Sequence, residues 1–156
     1  MVIGATGHQN IPSSAFEYVR RQIQEALDQA RRPLEGASAL AVGADQLFAE
    51  RVLGGEGRLH VVVPSRGYEA TFKGSDRDRY ERLLTLAYQV ETLNYPEPSE
   101  EAFLAAGKRI VDMCDLLLAV WDGREAQGPG GTADVVAYAR EVGKPVEIIW
   151  PEGMVR

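Results

Sequence analysis

The segment Gly128-Pro129-Gly130-Gly131-Thr132 carries the clearest chemical signal in the chain. Glycines let a backbone approach an anion closely and present successive N–H groups to it. A helical pattern begins near Thr132, so a helix N-terminus adds partial positive charge and the Thr132 hydroxyl can donate. The chemistry these residues suit is phosphate binding. A second small-residue turn, Gly4-x-x-Gly7, stands near the start of the chain, and His8 follows it in position to touch a phosphate, a ribose or a base. Asp45 follows an apolar run through Gly43-Ala44, where an acid either caps a helix or contacts a ligand. Arg66, after Pro64-Ser65, has the charge to pair with a phosphate. Asp122 closes the longest apolar run, and Asp134 falls in the first turn after the glycine-rich loop.

Several familiar chemistries are absent. There is no G-x-x-x-x-G-K-[ST], because Lys108 is followed by Arg109 and Lys144 by Pro145. The first loop lacks G-x-G-x-x-G, and the second strand does not end in an acid that would hold an adenosine ribose, which excludes a conventional NAD dehydrogenase. No Tyr is followed four residues later by Lys, and there is no G-x-S-x-G elbow. The two histidines, His8 and His60, lack metal-ligand spacing, and Cys114 is the one cysteine. The reading is therefore no metal, no cofactor and no internal disulfide. His60 lies inside a strand and reads as structural, and Cys114 as a small buried residue.

These residues need a scaffold that gathers them. The chain of 156 residues is one domain's worth. Short apolar runs alternate with amphipathic segments throughout, which predicts an α/β protein: a three-layer Rossmann-like fold with a mainly parallel sheet. Strands are expected at about 1–3, 38–42, 59–63, 88–93, 116–121 and 146–150. Leu116–Trp121, apolar on both faces, is placed centrally. Helices are expected after each strand, with Ser14 and Glu17 as a capping box and Ser75 and Ser99 as N-caps. In such a sheet ligands sit beyond the carboxyl ends of the strands, where the candidate residues collect.

Net charge is −6 and the pI about 5.0, which argues against duplex nucleic acid and a polybasic membrane surface as partners. The run Leu116–Trp121 is too short to cross a bilayer. The opening residues carry no basic region of a secretory signal, so a cytoplasmic location is expected.

Three stretches resemble the SLOG superfamily of Rossmann-like domains, which includes the Lonely Guy phosphoribohydrolases and the DprA and YpsA-like proteins. They are Ile3-Gly4-Ala5-Thr6-Gly7-His8, then Leu40-Ala41-Val42-Gly43-Ala44-Asp45-Gln46, and then Val111 through Gly123 followed by Gly130-Gly131-Thr132-Ala133. The last looks closest to the YpsA-like branch. The resemblance implies a nucleotide or nucleotide-derived ligand at the strand ends, in some members as a sensor in a bacterial stress or conflict system. On that reading Gly130, Gly131 and Thr132 hold phosphate. Gly4, Thr6, Gly7 and His8 face ribose or base, Gly43 and Asp45 complete the wall, and Arg66 and Asp122 join the site. A homo-oligomer is expected, with Phe103 or Tyr80 supplying an apolar patch.

The Lonely Guy pattern P-G-G-x-G-T-x-x-E places a glutamate where this chain has Val135. Asp134 lies one residue earlier, about 100° away around a helix. The arginine expected in the preceding helix is replaced by Ala106. Nucleotide binding is therefore the leading reading. The alternative is hydrolysis of an N-glycosidic bond in a nucleoside monophosphate or NAD-like substrate, with Asp45, Asp122 or Asp134 as the carboxylate.

Overall fold

The computed structural model describes residues 1–125 and 131–154. Six strands, β1 (Val2–Gly7), β2 (Glu35–Ser38), β3 (Arg58–Val63), β4 (Gln89–Thr92), β5 (Leu116–Val120) and β6 (Val146–Ile149), form one sheet in the order β4-β3-β2-β1-β5-β6. Every pairing is parallel. Five helices connect them: α1 (Ser13–Gln29), α2 (Ala44–Gly54), α3 (Gly74–Thr85), α4 (Glu100–Met113) and α5 (Thr132–Glu141). A 3-10 turn, Tyr68–Thr71, lies between β3 and α3.

Alternation along the strands separates two cores. Ile3, Ala5, Leu118 and Val120 pack against Val19, Ile23 and Leu27 of α1 and Phe48 and Val52 of α2. On the opposite face Ala37, Val62 and Leu117 pack against Ala106, Ile110 and Val111 of α4 and Val135 and Ala139 of α5. A third cluster joins Leu59, Val61 and Val63 to Tyr68, Phe72, Tyr80 and Leu83. This is the expected three-layer α/β architecture. β5 is paired on both sides, by β1 and β6, although it lies one strand from the edge and the middle of the sheet is β2 and β1.

Local expectations met mixed outcomes. Ser99 caps α4, its Oγ accepting the Ala102 N–H at 3.0 Å. Ser14 caps nothing: Pro12 precedes α1, and Glu17 accepts instead from Arg20. α3 begins at Gly74 after Lys73, so Ser75 is inside it. β1 runs to Gly7, four residues past the expected end, because each residue from Ile3 to Gly7 has a register partner on β5. β2 is shifted the other way and ends at Ser38. The chain leaves the sheet there because Ser38 Oγ accepts the Leu40 N–H at 3.0 Å and Leu40 turns to φ 59. Tyr80 is buried and stacked on Phe72 at 4.3 Å between centroids, and Phe103 packs into the same cluster, so neither forms the expected exposed patch. Among the described residues, no helix is long and apolar enough to cross a membrane.

Candidate functional site

β1 sends its crossover to β2 on one side, while β5 pairs on its other side, so the order of the sheet reverses between β1 and β5. Beyond the carboxyl ends of strands at such a point the loops diverge and leave a crevice. Here it is a cleft of about 850 Å3. The end of β1 and its loop contribute Thr6, Gly7, His8, Gln9 and Asn10, the loop after β2 Ala39, Ala41 and Val42, and the first turn of α2 Asp45. Tyr68, Thr71 and Phe72 come from the β3 side, and Phe103, Gly107 and Ile110 from α4. Trp121, Arg124 and Glu125 follow β5, and Gly131, Thr132, Ala133 and Val135 open α5.

Two glycines allow the first two loops to meet. Gly43 adopts φ +88, and a Cβ there would lie 2.3 Å from the Gln9 carbonyl oxygen. Next to it, the Ala44 N–H donates to the His8 carbonyl at 3.2 Å. A Cβ on Gly7 would lie 2.6 Å from Ala44 Cβ and 2.8 Å from Val120 Cβ. The glycines bring loop, helix start and strand end into contact. Leu40, fully buried in the left-handed region, stores strain beside the cleft, which for such a residue costs about 1–2 kcal/mol.

The His8 ring is buried on the cleft floor, edge-on to Trp150 at 5.4 Å. Its Nε2 accepts the Asp122 N–H at 3.1 Å and stands 3.3 Å from Asp122 Oδ1. Asp122 Oδ1 also accepts the Arg124 N–H at 3.0 Å, folding the loop after β5.

Asp45 is the chemically distinctive group. Its residue is 6% exposed, and Oδ1 is buried with no hydrogen-bond partner. Burial pushes the carboxyl up to about 7 against a lesser opposing pull from the Ala41 N–H. The Tyr68 hydroxyl, held by the Ala39 carbonyl at 3.0 Å, is pushed up by its own burial and by the nearby Asp45 charge. Tyr68, Phe72 and Phe103 form an aromatic wall here, with Tyr68–Phe72 centroids 5.0 Å apart and Tyr68–Phe103 6.1 Å apart.

The structure brings together Thr6, Gly7, His8, Asp45, Gly131 and Thr132 around the cleft, with Gly43 behind the β1 loop. It does not bring Gly4 or Arg66. Gly4 is in mid-strand against α4, where a Cβ would meet Ile110 at 2.8 Å. Arg66 is exposed, its N–H bonded to the Tyr95 carbonyl, and does not line the cleft. Asp122 supports His8 from behind. Gly130, with Gly128 and Pro129, lies outside the described residues. Val135 does line the cleft, packed against Gly107, and Asp134 does not. Of the three carboxylates considered for hydrolysis, Asp45 alone borders the cleft. The aromatic wall was missed, although Tyr68 and Phe72 at i and i+4 after a strand end were its visible signal. His60 bonds Glu35 at 2.8 Å between β3 and β2 and does not line the cleft. No metal-binding cluster occurs among the described residues.

The fold and cleft define a Rossmann-like α/β domain with a cleft at the strand ends. No protein-family model matches the sequence, and no curated protein matches it. Among solved structures, DNA processing protein A (DprA) from Streptococcus pneumoniae superposes with a TM-score of 0.67 at 19% identity, over 94% of this chain and 49% of that one. A second structure is described as "Structural insights into the unique single-stranded DNA binding mode of DNA processing protein A from Helicobacter pylori". It gives a TM-score of 0.66 at 16% identity, over 95% of this chain and 64% of that one. A structural-genomics target, TM1055, gives 0.59 at 14%, covering 93% and 71%. This chain thus spans about half to two thirds of the DprA chains. At these identities the likeness is one of fold, and the fold is the one the SLOG resemblance implied. The second likeness also corrects the partner reading taken from charge. A protein of this fold is described as binding single-stranded DNA, so an acidic composition does not remove nucleic acid from the partners to be considered.

Proposed function

We propose that the chain binds a nucleotide or nucleotide-derived ligand across the β1–β5 switch point, as a SLOG-type domain whose motifs are most similar to the YpsA-like branch. The observation that carries this reading is the cleft itself. Its volume falls in the range that buries a small ligand, and its two halves differ in chemistry. Backbone and small residues, Gly7, Gly131 and Thr132, form one half, and the aromatic wall forms the other. The phosphate sits at Gly131-Thr132. Gly131 precedes α5 without a side chain to cap it; its carbonyl accepts from the Asp134 and Val135 N–H groups, and the Thr132 and Ala133 N–H groups with the Thr132 hydroxyl face an anion. The ribose lies along Thr6, Gly7 and His8.

The test is calorimetric titration with nucleotides first ranked by thermal shift, beside a short single-stranded oligodeoxynucleotide. Gly131→Val is expected to abolish mononucleotide binding, and Thr132→Val to weaken it by about 0.5–1.5 kcal/mol. Unchanged affinity in Gly131→Val would move the phosphate elsewhere. The hydrolytic alternative rests on Asp45, and a free base released on chromatography and lost in Asp45→Asn would favour it over binding alone.

A further inference from the structure

The Asp45 carboxyl meets the Ala41 N–H, but its Oδ1 has no hydrogen-bond partner in the fold. It does not cap α2, whose N-cap is Gly43 with no side-chain hydrogen bond. It forms no ion pair with any described residue, and the groups acting on it are burial and the Ala41 N–H. Its Oδ1 is left without a partner, a state that costs free energy and that native structures avoid unless a ligand or function compensates.

Its surroundings narrow the compensating ligand. Once ionised, the carboxyl repels a phosphate, and among the described residues no cation acts on it. The flat side chains of Tyr68, Phe72 and Phe103, with Ala39 beneath, suit a planar ring. β2 stands two strands from β5, about 10 Å across the sheet. A nucleoside monophosphate spans that distance, with its phosphate at Thr132 and its base at Asp45. A carboxylate offers two acceptors in one plane, and the heterocycle edge that matches them carries two adjacent N–H donors.

We propose that Asp45 is the base-reading residue of the cleft, selecting a nucleobase that presents paired N–H donors, as the guanine edge does, against the aromatic wall. This rests on the nucleotide reading above. Rotation about the broad χ2 well turns Oδ1 toward the cleft. The ligand then supplies the hydrogen bonds that the fold withholds, and a base with an acceptor in that position meets a carboxylate lone pair.

The experiment is titration of the full chain, wild type and Asp45→Asn, with GMP, IMP, AMP and ribose 5-phosphate. In wild type GMP is expected to bind about tenfold or more tighter than AMP, with IMP between them. In Asp45→Asn the GMP-to-AMP ratio falls to within about threefold, while ribose 5-phosphate affinity is unchanged. Wild-type selectivity is read without any substitution, so it stands even if the variant folds poorly. Equal binding of GMP and AMP by wild type, or full selectivity retained in Asp45→Asn, overturns this inference and leaves the phosphate site in place. Failure of all four compounds to bind wild type overturns the nucleotide reading and this inference with it.

Discussion

His8 Nε2 stands 3.1 Å from the backbone nitrogen of Asp122, and that hydrogen bond ties the end of β1 to the end of β5 across the switch point. A side chain from one strand thereby sets the path of the other strand's loop, which Asp122 then extends by accepting from Arg124. His8→Ala removes the acceptor and the edge contact with Trp150 together. It is expected to lower stability by about 1–3 kcal/mol in urea unfolding, and to weaken nucleotide binding. Unchanged stability would show that the loops are held by backbone contacts alone.

Gly43→Ala places a methyl group against the Gln9 carbonyl at a left-handed residue. The strain of φ +88 alone is worth about 1–2 kcal/mol, and the clash is with backbone, which cannot swing aside. A loss of more than about 2 kcal/mol is expected by chemical denaturation. Gly54→Ala is the opposite case. It lies in the last turn of α2 with nothing within 4 Å of the added carbon, so a gain of about 0.5–1 kcal/mol is expected.

Asp45 makes stability depend on pH. Its ordinary value of 3.8 rises to about 7 in the folded chain. Between those values the folded chain holds a proton that the unfolded chain has released, so stability is complete below about pH 4, falls as pH rises, and levels off above about 7. The full difference is on the order of 4 kcal/mol. Asp45→Asn should flatten this slope and be more stable than wild type at pH 8. Parallel curves for the two proteins would show that the carboxyl is solvated.

Ser99→Ala removes the oxygen that accepts the Ala102 N–H. A loss of about 1 kcal/mol is expected by thermal or urea unfolding, and Ser99→Asp should retain most of the stability.

What could be read ahead of the structure was what depends on local pattern. The apolar run of β5, the Ser99 cap and the glycine-rich start of α5 are each written in a few adjacent residues. What could not be read depends on distant ones. The length of β1 is decided by β5, more than a hundred residues away in sequence. β2 ends early because buried Leu40 accepts a left-handed conformation, which no propensity favours. Gly4 looked like part of a loop because its reason, the close approach of Ile110 and Cys114, is made by α4. At the site, the residue types at the strand ends were visible, but burial decided among them. It placed Asp45 on the cleft wall, Asp122 behind it and Arg66 in solvent.

The pairing of β1 with β5 also orders events during synthesis. β1 precedes the other strands in the chain, yet one of its edges has no partner until Leu116–Val120 has been made. A nascent chain can close β1, β2, β3 and β4 with the first three helices while that edge is still bare, and an unpaired parallel edge is a template for wrong association. The cleft waits longer still, because Thr132 lies beyond β5. A ligand that fits the proposed site would therefore not rescue a stalled or truncated nascent chain. It would hold only the finished sheet, by closing the seam where its earliest and late-made strands meet.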